Sequence, residues 1–386
     1  MAVSVQVCGS NHCSEPQICF PKFDVCSEAK DALQVHMDKS RTGGENPSSV
    51  VPLLVFSDET SGNTTKKWNR LESFSMSMAG LTRKEFRKME NIHFLSTSNI
   101  VPSVALGKSI ARDLEELECG KMMYDAFVDR EILVKCPVLC VLADNPRASE
   151  FEHHLGSCAN KFCRKCNATA NNATGIQEIR TDQYVQEKIQ EIQNCPSENQ
   201  KKDKRSEYGV TEKGGAFDIL KSFRGNNKTP IEILHTILLG PVKYMLSDTM
   251  KSLSQGRKEQ LHAKIQALDM SAFPATIRGN ITRNYGSYVG RDFKLWMQVA
   301  VFILEDIIPH EQLFVWELLS EIFALAYSSG FDKRNSEGAK QLFKTFVDAV
   351  TRIYPEFLKK AKLHLLLHLV DDIENLGPAN GFSTER

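Results

Sequence analysis

Two apolar runs that each lead into an aspartate constrain this chain more than any other feature. The first, "VVPLLVF" at 50–56, continues through Ser57 to Asp58, and six of its seven residues are Val, Leu or Phe. The second, "EILVKCPVLCVLAD" at 131–144, finishes on Asp144. Apolar stretches this short, bounded by turn-forming residues, read as strands buried inside a sheet. A core strand that delivers a carboxylate at its tip admits two readings. Aspartate favours the turn that follows a strand and is solvated there. Alternatively, a rigid strand end holds an acid in place for a metal, which needs further acids from elsewhere in the chain.

The elements between the two runs bear on that choice. "FSMSMAGL" (74–81) and "NIHFLSTS" (91–98) are short strand-like stretches bounded by turn residues. "VPSVALGKSIARDLEELECG" follows, with Leu106, Ile110, Leu114 and Leu117 at helical spacing and Gly120 as the stop; Gly107 interrupts the pattern. Three strands, a helix and a fourth strand are the opening order of a ribonuclease-H-like fold, in which the first and fourth strands are neighbours. Neighbouring parallel strands would bring Asp58 and Asp144 within reach of one cation. Mg²⁺ suits such a site, because it takes oxygen ligands from a few carboxylates together with water and phosphate.

The rest of the chain divides by texture. Residues 1–49 are rich in Cys, Ser and Gly, and their cysteines (Cys8, Cys13, Cys19 and Cys26) include no C-x2-C pair, so they read as ordinary thiols. The core spans 50–152, a Cys/His-rich segment with a polar, basic linker spans 153–213, and a helical domain with broad apolar stripes spans 214–362. A return segment, 363–386, completes the chain. Cys163 and Cys166 have the spacing that tetrahedral zinc prefers, and His154 or Cys158 upstream supplies a further ligand, with Cys195 also a candidate. His364 and His368 stand i, i+4 and could share a metal, but on so apolar a helix they read as packed core residues. The basic run Lys201, Lys202, Lys204 and Arg205 reads as a solvated linker, with phosphate contact or nuclear import as the alternative.

Composition narrows the function class. Lys+Arg and Asp+Glu both number 48, so there is no overall basic coat for nucleic acid, although a local groove is compatible with neutrality. The N-terminus carries no signal-peptide pattern, and no run of 18 apolar residues occurs. Eleven cysteines in such a chain point to a reducing, intracellular compartment.

Several stretches together resemble the CACTA-type cut-and-paste transposases, in particular their fungal branch. They are Ser57 to Asn63 ("SDETSGN"), Lys66 to Asn69, His93 to Asn99 and Asp144 to Pro146. Further matches are Glu150, Phe151, His154 and Gly156 with Phe162 to Cys166, then 230–244, 288–294 and 364–386. The resemblance implies an α/β, ribonuclease-H-like mixed sheet, interrupted by a small zinc-like segment and a large all-helical insertion. It places an acidic triad on Asp58, Asp144 and Glu385 as ligands of two Mg²⁺ or Mn²⁺ ions. It implies a nuclear enzyme that cleaves element-end DNA and transfers the strand to target DNA, with no membrane partner and with a homo-oligomer admissible. Glu59 stands where the family has a second aspartate. The chain stops at Arg386, directly after the third acid, so a truncated or domesticated copy is expected. The alternative is accordingly a DNA- or protein-binding protein that has lost catalysis.

Overall fold

The computed structural model describes residues 48–61, 70–126, 129–224, 228–277 and 281–384. The four N-terminal cysteines, the Lys66–Asn69 stretch and Glu385 lie outside the described residues. The chain is a mixed α/β structure with two mixed sheets. Strand β1 (Ser48–Val50) is separated by Pro52 from β2 (Leu53–Ser61). β2 pairs antiparallel with β3 (Arg70–Met78), which pairs antiparallel with β4 (His93–Ser98). A hairpin of β5 (Lys121–Asp125) and β6 (Arg130–Lys135) follows, and then β7 (Val138–Leu142). β7 lies parallel to β2, giving the order β4-β3-β2-β7. The strands that lead into Asp58 and Asp144 are therefore neighbours.

Two strand boundaries differ from those expected. β2 continues past Asp58 to Ser61, because β3 goes on pairing with it after β7 has ended. The run 131–144 is two strands, split at Pro137. Proline has no N–H to give to a ladder, and here the break moves the chain from one sheet to the other. β6 belongs to a separate three-stranded sheet, β1-β6-β5, while β7 joins the larger one. Pro52 separates β1 from β2 in the same way, and both prolines keep their carbonyls in use. Pro137 O accepts from Leu53 N (2.8 Å) and Pro52 O from Ala79 N (2.8 Å).

The β2–β7 part of the larger sheet is buried on both faces. Leu53, Val55, Val138 and Val141 pack on one side against helix α1 (Ser103–Cys119) through Ile110, Ala111 and Leu114, with Phe151, Phe217 and Leu220 completing that core. Gly107, the flaw in the helical pattern, is where α1 approaches another segment closely. A Cβ built there would lie 2.8 Å from Ala216 Cβ. On the other side Leu54, Phe56, Cys140 and Leu142 join a large helical core. Its helices include His310–Tyr327 and Ser336–Ile353, and Trp296 meets Trp316 edge to face at 6.2 Å.

The basic linker is in fact helical. Residues Glu198–Tyr208 form a helix capped by Ser197 and ended by Gly209 in the left-handed region, and it packs through Tyr208 against Ile189 and Ile192. Ion pairs Lys204–Glu207 and Arg205–Glu198 intersperse the basic residues with acids, so the solvated face becomes a stable surface helix. Beyond residue 214 regular helix begins only at Leu234, in a wide π-helical segment, Leu234–Val242, that contains Pro241. Among the described residues no helix is long and apolar enough to cross a membrane.

Candidate metal centres

The parallel ladder between β2 and β7 ends at the pair Phe56–Leu142, and two residues further on each chain stand Asp58 and Asp144. Side chains alternate along a strand. Asp58 therefore continues the face of Leu54 and Phe56, and Asp144 that of Cys140 and Leu142. Adjacent strands lie about 4.8 Å apart, so the ladder sets the two acids side by side on the face that meets the helical core. Asp58 keeps contact with solvent. Even so, desolvation there raises its pKa; the Glu59 backbone N–H opposes this, and the nearby charge of Asp144 adds to it. Two carboxylates so placed that the charge of one raises the pKa of the other are an arrangement that a cation would relieve.

Asp144 is held by its neighbours. It caps helix α2 (Asn145–Phe151), its Oδ1 accepting from Arg147 N at 2.9 Å. The Arg147 side chain is buried and pairs with Glu72 of β3 and with Glu150. A turn-capping aspartate accounts for Oδ1 alone. Beside the carboxylate lies a cleft of about 170 Å³, lined by Asp144, Ser149, Ser157, Arg164, His235 and Lys362 among others.

His235 was not singled out by sequence reasoning, although it sits in the Pro230–Tyr244 stretch. The π-helical segment presents it to the cleft, and buried Glu232 holds it, Nδ1 to Oε2 at 2.8 Å. Burial disfavours the imidazolium, but the Glu232 hydrogen bond and charge, with that of Asp144, outweigh burial and raise the His235 pKa. Glu232 Oε1 also accepts from Leu234 N (2.7 Å), Ser383 Oγ (3.2 Å) and Thr384 N (3.2 Å). The return segment is thereby fastened next to His235 as far as Thr384. The third predicted acid, Glu385, lies outside the described residues.

The second centre is a buried Cys₂His₂ cluster. The ligand atoms of Cys163, Cys166, His364 and His368 all lie within 4.8 Å of one another. Cys166 Sγ is 3.2 Å from His364 Nε2, Cys163 Sγ is 3.6 Å from His368 Nε2, and the two Nε2 atoms are 3.4 Å apart. A tetrahedral zinc with bonds of about 2.1 Å to nitrogen and 2.3 Å to sulfur has ligand–ligand edges of roughly 3.3–3.8 Å, so the set could hold a zinc ion. The tautomer agrees. His364 Nδ1 donates to Ala173 O at 2.8 Å, which leaves the Nε2 lone pair facing the sulfurs, as second-shell contacts to metal-bound histidines do. Cys163 and the two imidazoles pull the Cys166 pKa far down, while burial and that neighbouring thiolate push Cys163 up.

The upstream ligands expected from sequence are not in this cluster. His154 has both ring nitrogens engaged, Nε2 with Lys161 O (2.9 Å) and Nδ1 accepting from Gly156 N (3.0 Å), and burial lowers its pKa to about 3. Cys158 is exposed, and Cys195 Sγ donates to Glu191 O at 3.3 Å. The partners are instead the two histidines that the apolar helix suggested were core. They are core, and they also face the cysteines.

Buried charges join the two centres. Glu152, directly after α2, lies 3.8 Å from both Arg164 and Lys165, and Lys165 lies 3.7 Å from Asp372. Arg164 Nη1 donates to Asn145 Oδ1 (2.8 Å), the residue after Asp144, and Asp372 Oδ2 accepts from Ile231 N (2.6 Å). The residues between and beside the cysteines thus tie the α2 cap to the helices bearing His364 and His368. Comparison with protein-family models gives no match for the chain, and comparison with curated proteins gives none.

Proposed function

We propose that this chain is the catalytic region of a metal-dependent DNA transposase of the CACTA type on a ribonuclease-H-like core. In this reading Asp58, Asp144 and Glu385 hold two Mg²⁺ or Mn²⁺ ions, and DNA is the partner. The observation that carries it is the juxtaposition of Asp58 and Asp144 two residues beyond the end of a parallel strand pair. That placement follows from a long crossover, and a plain turn residue would not require its counterpart on the neighbouring strand. Hard oxygen donors suit Mg²⁺ or Mn²⁺, and the Asp58 pKa is raised chiefly by desolvation, with the charge of Asp144 adding to it. Bound as a pair, such ions activate a water or a 3′-hydroxyl and stabilise the leaving oxygen of a phosphodiester.

The chain's own residues have distinct tasks. The α2 cap and Arg147 orient Asp144. β3, paired with β2 beyond the end of β7, fixes Asp58. Glu232 holds His235 at the cleft and fastens the chain leading to Glu385. The Cys₂His₂ cluster anchors the returning helices to the segment after α2, a structural role for zinc. The second reading, a binding protein without catalysis, keeps this zinc-held frame and lacks a third acid at the pair.

Nicking of supercoiled plasmid DNA in Mn²⁺ tests the reading. Asp58→Asn and Asp144→Asn should each reduce nicking by about three orders of magnitude or more, while zinc content and DNA binding persist. Equal nicking by wild type and both variants would contradict it. Binding with no nicking by any of the three would favour the second reading.

A further inference from the structure

The cleft beside Asp144 also carries a lysine whose ammonium is bonded to a carbonyl and not to a carboxylate. Lys362, half-buried on the helix Ala361–Leu365, reaches the same cleft as Asp144 and His235. Its Nζ donates to a carbonyl, Leu239 O at 3.0 Å, rather than to an acid. That leaves ammonium donors available to the cleft, since a lysine has three. Burial lowers its pKa and the charge of Lys243 lowers it further, with Asp144 and Glu232 acting against both as charges beyond hydrogen-bonding reach.

The local backbone is built to seat this lysine. Gly240 departs from helical geometry (φ −111°, ψ −120°) and Pro241 brings no N–H, so the π-helical turn opens and Leu239 O faces Lys362. The Lys362 stem lies against Gly240, where a Cβ would stand 3.4 Å from Lys362 Cβ. Ser149 and Ser157 also line the cleft and add hydroxyls, and its space of about 170 Å³ holds more than a single water molecule.

We infer that Lys362 and His235 bind the non-bridging oxygens of a DNA-strand phosphodiester beside Asp144. The choice of DNA as the bearer of the phosphate rests on the proposed cleavage function; the anion site itself rests on the cleft. Carboxylates gathered for a metal repel an incoming phosphate, and cations on the opposite wall offset that repulsion. A lysine serves such a site as a compact point charge.

The test measures the affinity of zinc-loaded protein for a short fluorescent duplex over a salt series without added Mg²⁺ or Mn²⁺, alongside calorimetry with inorganic phosphate. Lys362→Met, which keeps the stem, should weaken duplex binding about tenfold and reduce the slope of log K against log salt by about one. Lys362→Arg should retain most of the affinity. If Lys362→Met does not fold, His235→Gln compared with Lys362→Arg makes the same comparison. Unchanged duplex affinity and slope would overturn the inference. With phosphate binding lost, the cleft would be a free-phosphate site; with it intact, Lys362 would only cap Leu239 O. Nicking by the wild type separates the two claims: a protein that never nicks, yet binds duplex through Lys362, defeats the cleavage reading and leaves this one standing.

Discussion

Asp58 illustrates how a single residue reports its function through stability. Its pKa is raised by desolvation and by Asp144, so the ionised form is less favourable in the folded chain than in the unfolded one. The sign follows from linkage. A carboxylate with a raised folded pKa favours folding while protonated and opposes it once pH rises above that pKa. Asp58→Asn should therefore raise the Tm of the protein at pH 7 without divalent metal, and the gain should vanish near pH ~3, where both forms are neutral. A lower Tm for the variant at pH 7 would show the carboxylate to be structural. Gly107 makes the opposite point, because it serves packing alone. With Ala216 Cβ 2.8 Å from where its own Cβ would stand, Gly107→Val should destabilise by about 1–3 kcal/mol in chemical denaturation while leaving zinc content unchanged.

At the scale of elements, the helical run from Ala361 to Leu376 joins the sites. It carries Lys362 to the cleft, His364 and His368 to the cysteines, and Asp372 to Lys165. Removing metal from the cluster should loosen this run first. Purified protein should hold about one zinc. Cys163→Ser should release it, lower Tm by several degrees and expose 361–376 to limited proteolysis. Metal-free protein with the wild-type Tm would identify the four residues as a packed thiol–imidazole cluster. Much of this frame was legible in the chain. The aspartate-tipped runs predicted neighbouring strands from the order of three strands, a helix and a further strand between and including them, and the two strands do pair in parallel. The Cys163–Cys166 spacing announced a metal-ready pair. The partners were not legible, because Cys166 and His364 are brought to 3.2 Å by folding across the helical region, and local spacing points only to near neighbours such as His154. The split at Pro137 was visible as a proline, but a single sheet was the simpler reading of an unbroken apolar run. Glu232 and His235 look like ordinary residues of an amphipathic helix; in the fold Glu232 precedes the helical segment and holds His235 near Asp144.

Over the whole molecule, the larger sheet separates two cores. One face rests on α1 and Phe217, and the other joins the helices built around Trp296 and Trp316. The acid pair sits where the second face opens to solvent, so the rigid interior fixes the carboxylates while leaving their cleft accessible. The central claim is that Asp58 and Asp144 act together on one divalent cation. Titration of the zinc-loaded protein with Mn²⁺, followed by the loss of the free-ion electron paramagnetic resonance signal, tests this most directly. The account expects saturable Mn²⁺ binding that weakens at least about tenfold in Asp58→Asn and to a similar degree in Asp144→Asn, with little further loss in the double variant, as for two ligands of one ion. Mn²⁺ binding that is unchanged in both single variants would contradict it.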